Sequence, residues 1–418
     1  MKKWLFIFLI TGTKVFGQSF TLEKINELAK QNFPLIKQQD LVNQTRDISV
    51  ENLQKNFLPQ FKLSGQATYQ SAVTELKIPI QGVHIETLNK DQYKVLADVN
   101  QLIYDGGVIK QQKEIQQLNA DVQQQQIEVE FHQLRDRINQ LYLSVLYLDE
   151  QLKQSGLVKE NIQTGIKSIE AQVNNGVAFK SNLNLLKAQL LQTDQRTTEL
   201  LATRKGLLET IGLFINQPVN ERAVFEKPIP GNTIDTLTIQ RPELQLYSAQ
   251  QKLYSEQNKL IDAKNSPKAS LFFQGGYGRP GLNFLENKFD FFYTTGILFN
   301  WSLGGLYTSK KEKAQVQINN RMVDVQKDLF LLNTNAQLKQ QGSEIDKMQQ
   351  LVSQDDAIID LRNKVTEAAK AQLENGVITA NDYLQQVNAE DQARQTKITH
   401  ELQLLQAKIN YQTISGNK

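Results

Sequence analysis

The chain has 418 residues, a formal net charge of +3 and no cysteine. Disulfides, thiolate metal centres and a lipid-modified amino-terminal cysteine are therefore excluded, and the near-neutral balance leaves no electrostatic footprint for nucleic acid. Only 40% of the residues are hydrophobic and the mean hydropathy is −0.44, which predicts a molecule that is elongated or polar-lined rather than built on one large core.

The opening stretch, "MKKWLFIFLITGTKVFGQSF", has Lys2 and Lys3, an apolar run over residues 4–10, and the small residues Val15 and Gly17 before Gln18. This is the layout of a secretory signal peptide over residues 1–17. No later window approaches the roughly 18 apolar residues of a spanning helix, so any membrane crossing must use strands.

A first repeat is expected over residues 18–217. It begins with a helix-length segment, 22–57, followed by Pro59 and a strand-like run at about 60–75. There Phe61, Leu63, Gly65, Ala67 and Tyr69 alternate with Lys62, Ser64, Gln66, Thr68 and Gln70, the period-two pattern of a strand with one apolar face. A second run, 91–104, places Tyr93, Val95, Ala97, Val99 and Ile103 on one parity. After Gly106 and Gly107 a helix is predicted over 108–173, because no proline interrupts it and Ile127, Phe131, Leu134, Ile138, Leu141, Val145, Leu148 and Leu152 recur at heptad spacing. Its length would be about 100 Å at 1.5 Å per residue. The stretch "AQVNNGV" then predicts a tip at 174–178, because Asn-Gly tolerates positive φ, and a returning helix over 179–212.

Residues 218–235, bounded by Pro218 and rich in proline, form the expected connector. The second repeat, 236–418, restates the first: a helical segment, strands at about 268–278 and 289–303, a long helix over 306–373, a tip at 374–378 in "AQLENGV", and a returning helix over 379–415. In the second strand pair Leu271, Phe273, Gly275 and Tyr277 make one row, and Phe289, Phe291, Tyr293, Ile297, Phe299, Trp301 and Leu303 another. Met322, Val325, Leu329, Leu332 and Ala336 repeat the heptad. Pro34, Pro59 and Tyr69 align with Pro242, Pro267 and Tyr277, and Gly107 and Gly176 with Gly305 and Gly376, so the chain reads as an internal duplication.

A soluble sheet with one buried face would give the same alternation. Aromatics at the run ends (Tyr69, Tyr104, Trp301, Tyr307) and the export signal favour a bilayer, which a tilted strand of roughly 9–11 residues spans. Four strands cannot close a barrel, and open edges are forbidden in lipid. Three copies would supply 12 strands above a helical tube, whose many Gln, Asn and Ser side chains would face a water-filled lumen. The fold class expected is mainly α with transmembrane β. At each tip Val177 and Val377 stand at the end of a polar rod, placed for docking a partner or for a contact across the turn.

The repeat, the two strand pairs, the long helices and the tips "NNGVAFKSNLNLLKAQL" and "ENGVITANDYLQQVNAE" together resemble the TolC family of outer-membrane efflux proteins over essentially the whole mature chain. The resemblance implies a homotrimer in outer-membrane lipid with a 12-stranded barrel, a periplasmic α-helical tunnel, and an equatorial belt made from the connector and the C-terminal segment. It also implies partnership with a periplasmic adaptor and an inner-membrane transporter. Carried onto this sequence, the adaptor-docking tips are Asn175, Gly176, Val177, Asn375, Gly376 and Val377, with asparagine where the family pattern starts with an apolar residue. Asp382 matches an aspartate that narrows the periplasmic entrance in some members. Asn182 stands at the equivalent place in the first repeat, and Gln385 replaces a second aspartate, so the constriction would be weak.

No cofactor or metal site is expected. His84, His132 and His400 have no ligand spacing and read as surface or pore-lining imidazoles. "GGYGRPG" at 275–281 lacks the Gly-Lys-Ser/Thr element of a phosphate loop, and no nucleophile–base pattern suggests an enzyme. The function expected is the outer-membrane channel of a tripartite efflux or secretion system. A periplasmic adaptor or a coiled-coil scaffold are the alternatives, and they would have one hairpin or no lipid-facing strands.

Overall fold

The computed structural model describes residues 18–75, 87–229 and 238–417. The expected signal peptide, His84 and residues 230–235 of the connector lie outside the described residues. In chain order the elements are β1 (Ser19–Phe20), α1 (Leu22–Asn32), α2 (Leu35–Lys55), β2 (Gln60–Tyr69), β3 (Asp91–Tyr104), α3 (Val108–Asn174), α4 (Lys180–Ile215), β4 (Val224–Phe225), α5 (Pro242–Lys264), β5 (Lys268–Arg279), β6 (Asp290–Asn300), α6 (Leu306–Glu374) and α7 (Ala380–Ser415). The long helices α3 and α6 have 67 and 69 residues.

Several boundaries differ from the sequence pattern for identifiable reasons. The leading helix is broken after Asn32 because Phe33 precedes a proline and is held extended (ψ 134°). Strand β2 stops at Tyr69, six residues short of the alternating run. Helix α4 passes Gly212 and ends at Ile215, capped by Asn216 in the left-handed region (φ 52°). Gly212 makes room rather than ending the helix, since a Cβ there would sit 2.9 Å from the Gln217 carbonyl oxygen, where the chain turns back over the helix. Strand β6 ends at Asn300, and residues 303–305 form a single 3-10 turn before α6.

Contacts divide the chain into two compact units. One comprises residues 38–126 and 243–329 and contains a four-stranded antiparallel sheet of order β2-β3-β5-β6. The two repeats meet along β3 and β5, with Val95 opposite Tyr277 and Val99 opposite Phe273. This seam depends on the "DGG" turn. The Asp105 carboxylate accepts hydrogen bonds from the backbone N–H groups of Gly107 and Ile109 and so caps α3. Gly106 (φ +75°) lies so close to the α5–β5 turn that a Cβ would meet Ser266 Cβ at 2.7 Å.

The other unit comprises residues 18–37, 127–242 and 330–417. At one place β1 and β4 pair in parallel, joining the N-terminal end of the described chain to the connector. The Tyr142 hydroxyl lies 2.7 Å from the carbonyl oxygens of both Phe20 and Glu226, and burial pushes its pKa up. Beside it the buried guanidinium of Arg204 on α4 donates to Asp149 (2.6 Å) and to the backbone carbonyls of Glu221 and Ala223 (2.8 Å for the latter). One side chain thus ties α3, α4 and the connector together. Arg204→Ala is expected to destabilise the protein by about 3–5 kcal/mol, because it strands a carboxylate and two carbonyls. Urea unfolding of the purified protein reads this out, with Arg204→Lys, which keeps the charge but loses the fork, falling between the two. A loss below about 1 kcal/mol, the scale of an exposed pair, would contradict the assignment.

Candidate functional site

Each long helix ends in the same closure. Gly176 (φ +75°) donates its N–H to the Val173 carbonyl at 3.1 Å, and Val177 donates to Gln172 at 2.8 Å. Gly376 (φ +70°) donates to Leu373 at 3.1 Å, and Val377 to Gln372 at 2.8 Å. These are the paired bonds of a Schellman cap. Nothing crowds either glycine, so the left-handed φ alone demands it.

Such caps usually close with an apolar contact from the residue after the glycine back onto the helix. Here the facing positions are Gln172 and Gln372, and Val177 and Val377 remain 73% and 71% exposed. Neither valine is consumed by its own turn. Asn175 and Asn375 are exposed as well, the latter returning its side-chain N–H to Ala371. The two tips lie side by side, since the Gln172 amide donates to the Leu373 carbonyl at 2.7 Å.

Behind the tips the two hairpins share an apolar core that includes Ile162, Ile169, Leu186, Leu373, Tyr383 and Val387. Tyr383 donates to the Asn161 carbonyl at 3.1 Å and lies against Gly165, where a Cβ would come within 2.8 Å of the ring. Burial pushes the Tyr383 phenol up to about 12, with Glu390 and Glu374 adding to the effect. Farther along the hairpins a polar layer joins three helices. Asp391 on α7 accepts from Gln154 on α3 at 3.0 Å and pairs with Arg196 on α4 at 3.5 Å, while Arg196 also donates to Gln151 at 2.7 Å.

The returning helices start differently. At α7 Thr379 and Asp382 form a reciprocal capping box: the Asp382 N–H donates to the Thr379 hydroxyl at 3.2 Å, and the Asp382 carboxylate accepts from the Thr379 hydroxyl (2.7 Å) and N–H (3.1 Å). These donors hold the exposed Asp382 carboxyl below its ordinary pKa. At α4 the cap position is Phe179, which makes no side-chain capping bond and is 80% exposed. Forgoing a hydroxyl or carboxylate cap costs about 1 kcal/mol.

The sheet has two chemically distinct faces. One carries Phe61, Leu63, Tyr93, Val95, Phe273, Tyr277, Phe291, Tyr293, Ile297 and Phe299. Phe61, Leu63, Phe291 and Ile297 are each at least 75% exposed. The other face has Lys62, Ser64, Gln66, Lys94, Asp98, Gln274 and Thr294, with Gln274 donating to Asp98 at 2.6 Å. Two phenylalanines on this polar face lie down on glycines: a Cβ at Gly276 would sit 2.6 Å from the Phe292 ring, and one at Gly296 would sit 3.0 Å from Phe272. The outer edges of β2 and β6 have no strand partner among the described residues.

The heptad rows of the two long helices part company. In α3 Ile127, Phe131, Leu134, Ile138, Val145 and Leu148 are buried. In α6 Met322, Val325, Leu329 and Leu332 are 52–66% exposed, and Val323 and Leu338 turn inward instead. The α6 row is therefore left uncovered by the described residues.

Two of the histidines read as surface or pore-lining, His132 and His400, are partly buried and hydrogen-bonded. His132 Nε2 lies 2.9 Å from the Thr413 carbonyl oxygen, and His400 Nδ1 lies 2.6 Å from Asp355 Oδ2, both partly buried. Among the described residues no group of His, Asp or Glu could hold a metal. Phe179 is a candidate that the sequence pattern did not single out. The available signal was the comparison of the two tips, Phe179 against Thr379.

Residues 25–213 match the family described as outer membrane efflux protein. Comparison with curated protein sequences gives no match. Among solved structures the chain is similar to the outer-membrane channel OprN, at 13% identity with a TM-score of 0.69, covering 95% of this chain and 90% of that one. It is similar to CusC, whose structures describe transmembrane channel formation, at 12% identity and TM-score 0.70 over 95% and 92% of the two chains. It is also similar to the outer membrane protein VceC of Vibrio cholerae, at 12% identity and TM-score 0.68 over 95% and 96%. At the level of the matched family and of OprN, the likeness is to an efflux protein and a channel rather than to an enzyme. Residues 25–213 thus resemble the outer membrane efflux protein family, and the chain as a whole has the fold of outer-membrane channels.

Proposed function

We propose that this chain forms the outer-membrane channel of a tripartite efflux or secretion assembly, as a homotrimer working with a periplasmic adaptor and an inner-membrane transporter. The observation that carries the reading is the sheet: an exposed apolar face, a polar opposite face and two outer edges unpaired among the described residues. Such a sheet is stable in lipid only when its edges pair with other copies, because an unpaired backbone group in hydrocarbon costs several kcal/mol. Three sheets closing edge to edge give 12 strands with the polar face lining the lumen. The exposed α6 row supplies a second contact between copies.

In this reading Asn175, Gly176, Val177, Asn375, Gly376 and Val377 meet the adaptor, and Asp382 contributes one carboxylate per copy to the periplasmic entrance. The capping box keeps that carboxylate ionised below its ordinary titration range. Its cap bonds and its charge therefore persist above that range and are lost as the pH falls through the lowered value. The test is single-channel recording of the purified protein in a planar bilayer. A conducting pore is expected, with Asp382→Asn reducing cation preference while keeping a side-chain oxygen for the cap. Absence of a pore contradicts the channel reading, and unchanged selectivity in Asp382→Asn removes the entrance role.

A further inference from the structure

We propose that Phe179 is the specificity-determining contact of the first tip, gripping the apolar end of the adaptor's helical hairpin. The inference rests on the adaptor-docking reading above. The second tip serves as an internal control. There Ile378 packs into the hairpin core and Thr379 caps the returning helix. In the first tip the equivalent pair is Ala178 and Phe179. The bulk has moved one position along, out of the core and onto the outside, and the cap bond has been given up.

An aromatic ring held 80% exposed at a helix start makes no cap bond and buries little area there, whereas aromatics are favoured as binding anchors. The ring stands two residues after the exposed Val177, so the first tip presents two exposed apolar side chains. The surrounding charge further defines the partner. Lys180 follows the ring and is exposed, whereas the second tip carries the exposed carboxylates Glu374 and Asp382. The segment that fits the first tip is an apolar hairpin end with acidic neighbours, and the two tips present non-equivalent sites to the adaptor.

The absence of native cysteine makes single-cysteine variants clean probes. Val177→Cys, Phe179→Cys and Val377→Cys in the full chain are labelled with a maleimide in cells with the adaptor, in cells lacking its gene, and in the purified detergent-solubilised protein. Labelling at 179 is expected to slow about tenfold or more when the adaptor is present, the scale of a buried anchor, and to be fast in the purified protein. Slowing at 177 and 377 but not at 179 leaves docking intact and overturns the role of Phe179. Slowing at none of the three overturns docking and this proposal together. Protection at 179 in the purified protein places the ring between copies and overturns the proposal. As a second readout, Phe179→Thr is expected to raise the unfolding temperature yet lower efflux, and Phe179→Leu to retain efflux. A Phe179→Thr variant with undiminished efflux overturns it.

Discussion

Tyr293→Lys is expected to abolish insertion into the outer membrane, while Thr294→Lys, one residue along the same strand, is expected to leave insertion intact. Tyr293 belongs to the exposed apolar face of β6, and Thr294 to the polar face beside Gln274 and Asp98. A lysine on the lipid side of a barrel strand costs about 2–4 kcal/mol near the bilayer midplane, and the proposed assembly of three copies would bear that cost three times. On the face proposed to line the lumen the same lysine would stay in water and change only the field sensed by permeating ions. Membrane fractionation with heat-modifiable mobility separates the two variants. Equal insertion of both would mean that the sheet is not arranged with this face toward lipid.

The second large effect is expected at α6. Val325→Glu combined with Leu329→Glu places two carboxylates in the exposed heptad row that is proposed to pack against another copy. Each of these apolar side chains is worth about 1.5–3 kcal/mol when fully buried, and desolvating an unpaired carboxylate adds to the loss. The purified variant is expected to dissociate in mild detergent, while Gln326→Glu, exposed on the same helix, stays assembled. An intact assembly in the double variant would assign the row to another purpose.

How far the sequence could be read depended on whether each feature was local or shared between distant segments. The alternation in β2 and β6 and the uninterrupted heptads of α3 and α6 announce themselves within a short window, and these elements appear at nearly the expected positions. Heptad spacing does not say what covers a row. Ile138 and Leu329 occupy similar patterns, yet one is buried and the other exposed, because the difference lies in which neighbour is present. The join between the N-terminal strand and the connector was invisible for the same reason: Tyr142 reaches Phe20 and Glu226 across 122 and 84 residues of chain.

Glycines show the same limit. Gly176 and Gly376 were legible as turn formers because Asn-Gly marks positive φ. Gly165 and Gly212 sit in helical stretches, and only the structure reveals that one makes room for Tyr383 and the other for a returning carbonyl. At the tips the repeated phrase drew attention to the valines, while the pairs that differ just beyond it, Ala178 against Ile378 and Phe179 against Thr379, carry the information about asymmetry.

The proposed closure of one barrel by several copies is tested most directly by the mass of the protein extracted in mild detergent from the outer-membrane fraction. A complex about three times the mass of the mature chain after detergent correction is expected. A monomer in the soluble periplasmic fraction would contradict barrel closure, since the apolar face and open edges of the sheet would then have no partner.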